Sequence, residues 1–215
     1  MTNRRRLPLT SLLLGLALAL PAPALAQPAA DPALKQAAGK LAVAVCASCH
    51  GAEGRGDDPR VPRLAGQQRA YLEAQLKAFR GQRRNDRAAH EYMWDVAAPL
   101  DDNIIAALAE HFAALAPAAG TPPADATAAK NAAAGKVAFE RGNPQRGVYA
   151  CAYCHGADAE GLAVFPRLAG QHGEYLFIQM QSMRTRLRNN PAMHGPVKDL
   201  TDADVIALAA YLQTK

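Results

Sequence analysis

Large apolar side chains and cysteines are scarce in this chain of 215 residues. Phe, Trp and Tyr make up 6 % of it, and only four cysteines occur. Half of the residues are apolar, but many of these are alanines, which bury little surface each. Cores built from such residues would be thin, so we expect a further apolar group to help fill them. Beyond the N-terminal segment, no apolar run is long enough to cross a membrane.

The first 26 residues have the three-part pattern of a secretory signal peptide. Arginines at 4–6 form a cationic head, residues 12–20 form an apolar run too short to span a bilayer comfortably, and small residues at 24–26 suit a signal peptidase. We therefore predict a cleaved signal peptide over residues 1–26. The alternative, a retained membrane anchor, is disfavoured because Pro21 follows the apolar run so closely.

Removal of this segment changes the charge balance. The whole chain has 24 basic and 19 acidic residues, and the segment holds three arginines and no acid, so the mature part has 21 basic residues against 19 acidic ones. Its net charge is then +2, and the pI of 9.2 belongs largely to the precursor. We infer no nucleic-acid partner, since such partners go with a strongly basic domain.

The chain repeats itself in tandem. Five short stretches occur twice in the same order, which indicates duplication of one unit. Residues 117–130 are rich in Pro and Ala without apolar periodicity, and we interpret them as a linker between domains 27–116 and 131–215. The paired stretches are AAGK (37–40 and 133–136), CxxCH (46–50 and 151–155), PRLAGQ (62–67 and 166–171), AYLEAQL with EYLFIQM (70–76 and 174–180), and MWDVAAPLDD with MHGPVKDLTD (93–102 and 193–202).

Each copy has the pattern of helices, and neither has that of strands. Strong helix formers fill residues 33–45, and apolar residues recur at helical spacing over 69–80. The last helix should begin near Asp101 in the first copy and at Thr201 in the second, where a capping box is expected. The sequence therefore predicts an all-α fold of two small domains. The apolar stripes of the last helices are Ile105, Leu108 and Phe112, and Val205, Leu208 and Leu212.

All four cysteines belong to the two CxxCH stretches. Two thiols three residues apart can form thioether bonds with the vinyl groups of haem, and the turn between them places the next histidine under the iron. A zinc site would need the pairs closer in sequence, a thioredoxin-like pair would need a βαβ setting, and plain disulfides would leave both histidines unexplained. The motifs therefore predict two covalently attached haem c groups. They are bound through Cys46, Cys49, Cys151 and Cys154, with His50 and His155 as proximal iron ligands.

A distal ligand must come from elsewhere in each domain. Met93 is the only methionine of the mature first copy, and it aligns with Met193; each lies seven residues before the leucine that opens the last helix. Met180 and Met183 align with core positions of a helix. None of the other four histidines repeats, so bis-histidine ligation is the disfavoured alternative. We predict Met93 and Met193 as distal ligands, which raises the reduction potential.

The PRLAG loops follow the CxxCH motifs at a distance suited to a second contact. A proximal imidazole needs an acceptor for its other N–H group, and the carbonyls of Pro62 and Pro166 are candidates. Arg63 and Arg167 could meet haem propionates, or they could be solvated loop charges.

The mature chain resembles the cytochrome c4 family over essentially its whole length. The resemblance rests on the two CxxCH motifs, PRLAGQ in both copies, and a GNP…GVYACAYCHG run over residues 142–156. It implies two class I cytochrome c folds that face each other, a periplasmic location and electron transfer towards terminal oxidases. It also implies the ligands His50, Met93, His155 and Met193, with the prolines of the PRLAG loops as acceptors for the proximal histidines.

The resemblance further implies how the first and last helices of each domain cross. Class I cytochromes place a glycine and an aromatic residue at this crossing. Gly39, Gly135 and Tyr211 fit that pattern, whereas His111 departs from it. The detail of the first crossing is therefore in doubt, but the fold is not.

We interpret the chain as a dihaem electron carrier and not as an enzyme, because an iron with both axial positions filled cannot easily bind substrate. Its expected partners are redox proteins: a donor such as a quinol-oxidising cytochrome bc complex and an acceptor such as a terminal oxidase. We expect a monomer, and peripheral membrane association stays open. Two alternatives are the dihaem cytochrome subunit of a flavocytochrome c sulfide dehydrogenase and a dihaem peroxidase, which would need one iron with an open distal side.

Overall fold

The computed structural model describes residues 31–215, so the predicted signal peptide over residues 1–26 lies outside the described residues. Within residues 31–215 the regular structure is helical, and β pairing is limited to two isolated bridges, Asn143–Val148 and Leu162–Phe165. The predicted all-α fold is confirmed.

The first half is built from short helices that follow one another closely. Two π-helical turns interrupt them: Ala42–Cys46 before α2, and Ala89–Met93 before α4. A π turn takes up extra chain within a helix and is common at functional sites. Each of these turns ends on a predicted haem residue. The α-helices are α1 (Pro32–Leu41), α2 (Ala47–His50), α3 (Arg69–Arg80), α4 (Trp94–Ala97) and α5 (Asp102–Ala113).

The second half repeats this order of helices. Its first helix begins before the end of the predicted linker. The side chain of Asp125 caps this helix by accepting a hydrogen bond from the N–H of Ala128 at 2.8 Å. The non-helical connection therefore ends at Asp125, five residues before the end of the predicted linker. The helices are α6 (Ala126–Arg141), α7 (Ala152–His155), α8 (Gly173–Arg184), α9 (Pro191–Lys198) and α10 (Asp202–Gln213).

The last helix of each half begins where the sequence predicts. Asp101 caps α5 by accepting from the N–H of Ile104 at 2.8 Å. Thr201 and Asp204 form the predicted capping box on α10. The predicted stripes are buried in two separate cores, one in each half. They comprise Ile105, Leu108 and Phe112, and Val205, Leu208 and Leu212.

The first and last helices cross differently in the two halves. Gly135 of α6 is pressed against α10, where a Cβ atom would lie 2.8 Å from Cβ of Tyr211 and closer still to the backbone of Ala207. The structure does not place Gly39 at the corresponding crossing, since a Cβ there would meet nothing within 4 Å. Ala38, which is fully buried, takes that inward position in α1.

The two halves meet through a closed ring of four buried or half-buried polar side chains. The Oε1 atom of Gln75 accepts from Arg84 and Arg188, both at 2.9 Å, and the Oε1 atom of Gln179 accepts from the same two arginines at 3.0 and 2.8 Å. Asp86 adds two hydrogen bonds to Arg84, each of 2.8 Å. Because an unpaired buried guanidinium is costly, this ring fixes one half against the other.

Candidate functional site

Each CxxCH motif forms one tight helical turn that ends on its histidine. In the first half, α2 carries Cys49 and His50, and the chain then turns sharply at Gly51, whose φ is +75°. A Cβ at Gly51 would lie 2.5 Å from Cα of Gly56, so only glycine lets the following loop fold back this closely. Gly156, with φ +83°, ends α7 in the same way. The repeated turn presents two thiols and one imidazole from a single short segment.

Both proximal histidines are buried and held by the predicted acceptors. His50 Nδ1 donates to the carbonyl of Pro62 at 2.8 Å, and His155 Nδ1 donates to the carbonyl of Pro166 at 2.9 Å. Burial lowers the pKa of both imidazoles, which favours the neutral form that a metal binds. With the proton on Nδ1, each ring offers the lone pair of Nε2. The Nε2 atom of His155 is buried and has no hydrogen-bond partner, which fits an iron ligand.

The cysteines stay in two separate pairs. All four are free thiols; Cys49 and Cys154 are exposed, and Cys46 and Cys151 are partly buried. Burial raises the pKa of the Cys46 thiol, and it raises that of the Cys151 thiol to about 11. Among the described residues there is no cluster of three or more His, Cys, Asp or Glu side chains that could hold a metal ion. Neither the zinc site nor the disulfide alternative therefore finds support in residues 31–215.

The two predicted distal methionines lie on equivalent helices that begin differently. Met93 ends the π turn before α4, and its side chain packs against the first core. Met193 lies in the first turn of α9, where the side chain of Asn190 accepts from its N–H at 3.3 Å, and it packs against the second core. Met183 is buried within α8, at an ordinary core position as expected.

The four other histidines are engaged in unrelated contacts. The ring of His90 packs against that of Trp94, with centroids 4.5 Å apart. His111 lies edge-on to Phe112, at 5.1 Å. The remaining two are held by backbone carbonyls: His172 Nε2 donates to Gly56 at 2.7 Å, and His194 Nδ1 donates to Met183 at 3.0 Å.

The arginines of the PRLAG loops are partly buried. Arg63 donates from Nη1 to the carbonyl of Gly170 in the other half at 2.6 Å. The Nε atoms of Arg63 and Arg167 are buried without a partner. Two orphaned cationic donors at equivalent positions fit a carboxylate of a bound group, such as a haem propionate. The residues present therefore fit haem on both counts, an unpartnered imidazole nitrogen and unpartnered guanidinium donors.

Sequence reasoning missed the glutamines of the two PRLAGQ stretches. Gln67 and Gln171 are buried, and each forms hydrogen bonds with the PRLAG loop of the opposite half. The signal was present, because glutamine recurs at the same place in both copies. Nothing in the local pattern showed which surface it faces.

Comparisons with known proteins show the family. The family described as Cytochrome c matches residues 36–116 and 132–215. Cytochrome c4 of Thiocapsa roseopersicina is 36 % identical over 186 residues, which cover 83 % of this chain and 91 % of that one. The solved structure of Acidithiobacillus ferrooxidans cytochrome c4 is 40 % identical and covers 79 % of this chain and 98 % of that one, with a TM-score of 0.74. The chain belongs to the cytochrome c4 family.

Another relative differs in its stated role. The thiosulfate dehydrogenase electron acceptor of Thiomonas intermedia is 35 % identical, over 79 % of this chain and 77 % of that one. Membership of the cytochrome c4 family establishes two class I cytochrome c domains with two covalently bound haem c groups, and an electron carrier that exchanges electrons with redox proteins. Two such groups would supply the further apolar surface that the alanine-rich cores were expected to need.

Proposed function

We propose that Cys46, Cys49, Cys151 and Cys154 bind the two haems covalently, and that the axial pairs are His50 with Met93 and His155 with Met193. The observation that carries this proposal is the repeated hydrogen bond from a buried histidine Nδ1 to the carbonyl of a loop proline, which leaves the lone pair of Nε2 for a metal; in His155 this Nε2 is buried without a hydrogen-bond partner. Each methionine lies against the core of the same half as its histidine.

The proposed function is transfer of single electrons between respiratory complexes in the periplasm. An iron closed on both sides exchanges electrons without binding substrate, which supports a carrier without enzymatic activity. A quinol-oxidising cytochrome bc complex is the proposed donor, and a terminal oxidase is the proposed acceptor. The pattern of residues 1–26 supports export by a signal peptide. No helix of the described residues is both long and apolar enough to pass through a bilayer.

The ligand assignment is tested by Met93→Ala and Met193→Ala in the mature holoprotein. Each variant should lose about half of the sulfur-to-iron charge-transfer absorption at the red edge of the ferric spectrum, and the potential of one haem should fall, because thioether ligation raises it. Met183→Leu is the matched control, since Met183 is a buried methionine of a helix core. An unchanged band in either alanine variant would refute that ligand.

The assignment of a carrier is tested by an optical redox titration. Two resolved one-electron steps at positive potential are expected, with negligible peroxide turnover by the reduced protein. Fast peroxide turnover would instead revive the dihaem peroxidase alternative. Mass spectrometry of the mature protein should show two added haem masses and cleavage after residue 26.

A second candidate function involves the same two haems but a different electron donor. Relatives named thiosulfate dehydrogenase electron acceptors support a periplasmic thiosulfate-oxidising dehydrogenase as the source of electrons. Stopped-flow reduction by such an enzyme with thiosulfate, compared with reduction by a cytochrome bc complex with quinol, separates the two donors. Co-purification with a flavoprotein would instead support the flavocytochrome c subunit.

A further inference from the structure

Each proximal histidine is connected to a glutamine of the opposite half through a single peptide group. In the first half, the carbonyl of Pro62 accepts from His50 Nδ1 at 2.8 Å. The N–H of that same peptide group, on Arg63, donates to Oε1 of Gln171 at 2.9 Å. The path from His50 to the second half therefore consists of two hydrogen bonds and one peptide group.

The second half contains the same path in reverse. The carbonyl of Pro166 accepts from His155 Nδ1 at 2.9 Å. The N–H of that peptide group, on Arg167, donates to Oε1 of Gln67 at 2.7 Å. The two paths thus run in opposite directions across the interface between the halves.

The two glutamine side chains are locked in orientation. Gln171 donates from Nε2 to the carbonyl of Arg63, and Gln67 donates from Nε2 to the carbonyl of Arg167, both at 2.9 Å. Each Oε1 also accepts from the N–H of the residue that follows the glutamine. A flipped amide would place NH₂ against these backbone N–H groups, so the contacts themselves decide the orientation. Both side chains are buried, at 7 % exposure for Gln67 and 6 % for Gln171.

Hydrogen bonds at the two ends of one peptide group strengthen each other. When the N–H donates to a glutamine oxygen, electron density moves towards the carbonyl, which becomes a better acceptor. A better acceptor at Nδ1 leaves the imidazole more electron-rich and more basic as a ligand. Such a ligand stabilises oxidised iron over reduced iron and so lowers the reduction potential.

We propose that Gln171 and Gln67 are positioning residues that lower the reduction potential of the haem in the opposite half. Gln171 acts on the haem of His50, and Gln67 acts on the haem of His155. This inference rests on the proposed histidine ligands. It also makes the interface responsive to redox state, because oxidation of either iron strengthens its histidine N–H as a donor and hence the path that crosses between the halves.

The test is a redox titration of the holoprotein followed by NMR. The axial methionine methyl signals of the reduced form report each haem separately, and they are assigned by their loss in Met93→Ala and Met193→Ala. The variants compared are Gln171→Leu and Gln67→Leu. Gln68→Leu is the matched control: Gln68 Nε2 also donates across the interface, to the carbonyl of Glu160 at 3.0 Å, but the N–H of that peptide group donates to the backbone carbonyl of His155 and not to its imidazole.

Each glutamine substitution should change the potential of the haem in the opposite half. Gln171→Leu should raise the potential of the Met93 haem, and Gln67→Leu should raise that of the Met193 haem. The oxidised-to-reduced ratio at fixed potential should change about two- to tenfold, at most about 59 mV for one electron. Gln68→Leu should change neither potential by a comparable amount. The Nδ1–H proton signal of the affected histidine should move upfield, as its hydrogen bond weakens.

The outcomes separate this inference from the ligand assignment. Two methionine methyl signals and two one-electron steps in the unsubstituted protein support the ligands, whatever the variants do. A shift in the haem of the variant's own half, equal shifts in both haems, or no shift would overturn the crossed path. If a leucine variant does not fold, Gln171→Met and Gln67→Met keep a side chain of similar length without the amide, and the same criteria apply.

Discussion

The helix crossing in the second half should not tolerate even one added methyl group. In Gly135→Ala, the new Cβ would lie 2.8 Å from Cβ of Tyr211 and closer to the carbonyl of Ala207. Carbon atoms pack best about 3.5–4.0 Å apart, and the carbonyl of Ala207 would lie nearer than Tyr211, so α6 and α10 would have to separate by more than about 1 Å. The nearest atoms belong to the backbone of Ala207, which, unlike a side chain, cannot avoid the new methyl group by changing rotamer.

The magnitude follows from two opposing effects. Overpacking of a well-packed core costs about 1–3 kcal/mol. Replacing glycine by alanine within a helix returns up to about 1 kcal/mol. For Gly135 the contact with backbone favours the upper end of the first range, so we expect a net loss of about 2 kcal/mol. Gly39→Ala, in the open space beside α1, should be neutral or stabilise by up to about 1 kcal/mol.

Guanidinium denaturation of the holoprotein measures both variants. Far-UV circular dichroism follows the helices of both halves. Fluorescence of Trp94, the only tryptophan of the chain, follows the first half. The reasoning fails if Gly39→Ala and Gly135→Ala shift the denaturation midpoint equally, or if Gly39→Ala is the more damaging of the two.

Two further predictions concern ion pairs. Asp86→Ala should lower the free energy of unfolding by about 3–5 kcal/mol, because it leaves Arg84 buried without a carboxylate. Asp102→Ala, which breaks an exposed ion pair, should cost far less. Equal losses of stability in guanidinium denaturation would contradict this expectation. A hydrogen bond from Arg146 lowers the pKa of Asp204 to about 2, so this carboxylate stabilises the fold above about pH 4, and the stabilisation is lost as the pH falls through about 2. Asp204→Asn should therefore flatten the stability profile over that interval by about 1 kcal/mol, allowing for solvent screening, and an unchanged acid limb in thermal unfolding would count against it.

Local patterns predicted most of the helices correctly. The helix over 69–80 matches Arg69–Arg80, and the caps at Asp101 and Thr201 are where the sequence placed them. These features depend on residues close together in the chain, so helical periodicity and capping chemistry are sufficient to find them. The acceptor role of the loop prolines was also predictable, because a buried imidazole N–H needs a partner.

The first helix crossing shows where sequence alignment fails. The AAGK stretches align Gly39 with Gly135, yet the buried residue of α1 is Ala38. The chain between this helix and the haem motif also differs, with six residues between Gly39 and Cys46 and fifteen between Gly135 and Cys151. Two copies of one unit can therefore share a fold while their helix contacts differ in register.

Equivalent interface residues recur in the two copies at one sequence separation. A contact between two equivalent surfaces must be complementary to itself, so each residue that forms it is needed in both copies. The CxxCH motifs are 105 residues apart and the proposed distal methionines 100, but five pairs of interface residues keep a spacing of 104. Core residues of the same segment, such as Leu72 and Leu176, keep this spacing too, so it shows a segment repeated without insertion or deletion. The interface pairs with this spacing are Arg63 with Arg167, Gln67 with Gln171, Tyr71 with Tyr175, Gln75 with Gln179, and Arg84 with Arg188.

One position breaks that symmetry within the buried ring. Asp86 corresponds to Asn190, which is neutral and caps α9 instead of binding an arginine. The ring therefore holds two guanidinium groups and a single carboxylate, and that carboxylate belongs to the segment that leads to Met93. A buried negative charge stabilises oxidised iron more strongly where it lies nearer. The two copies therefore differ in buried charge at this position, although in both a histidine donates to the carbonyl of a loop proline, and we expect the two haems to differ in their electrostatic surroundings.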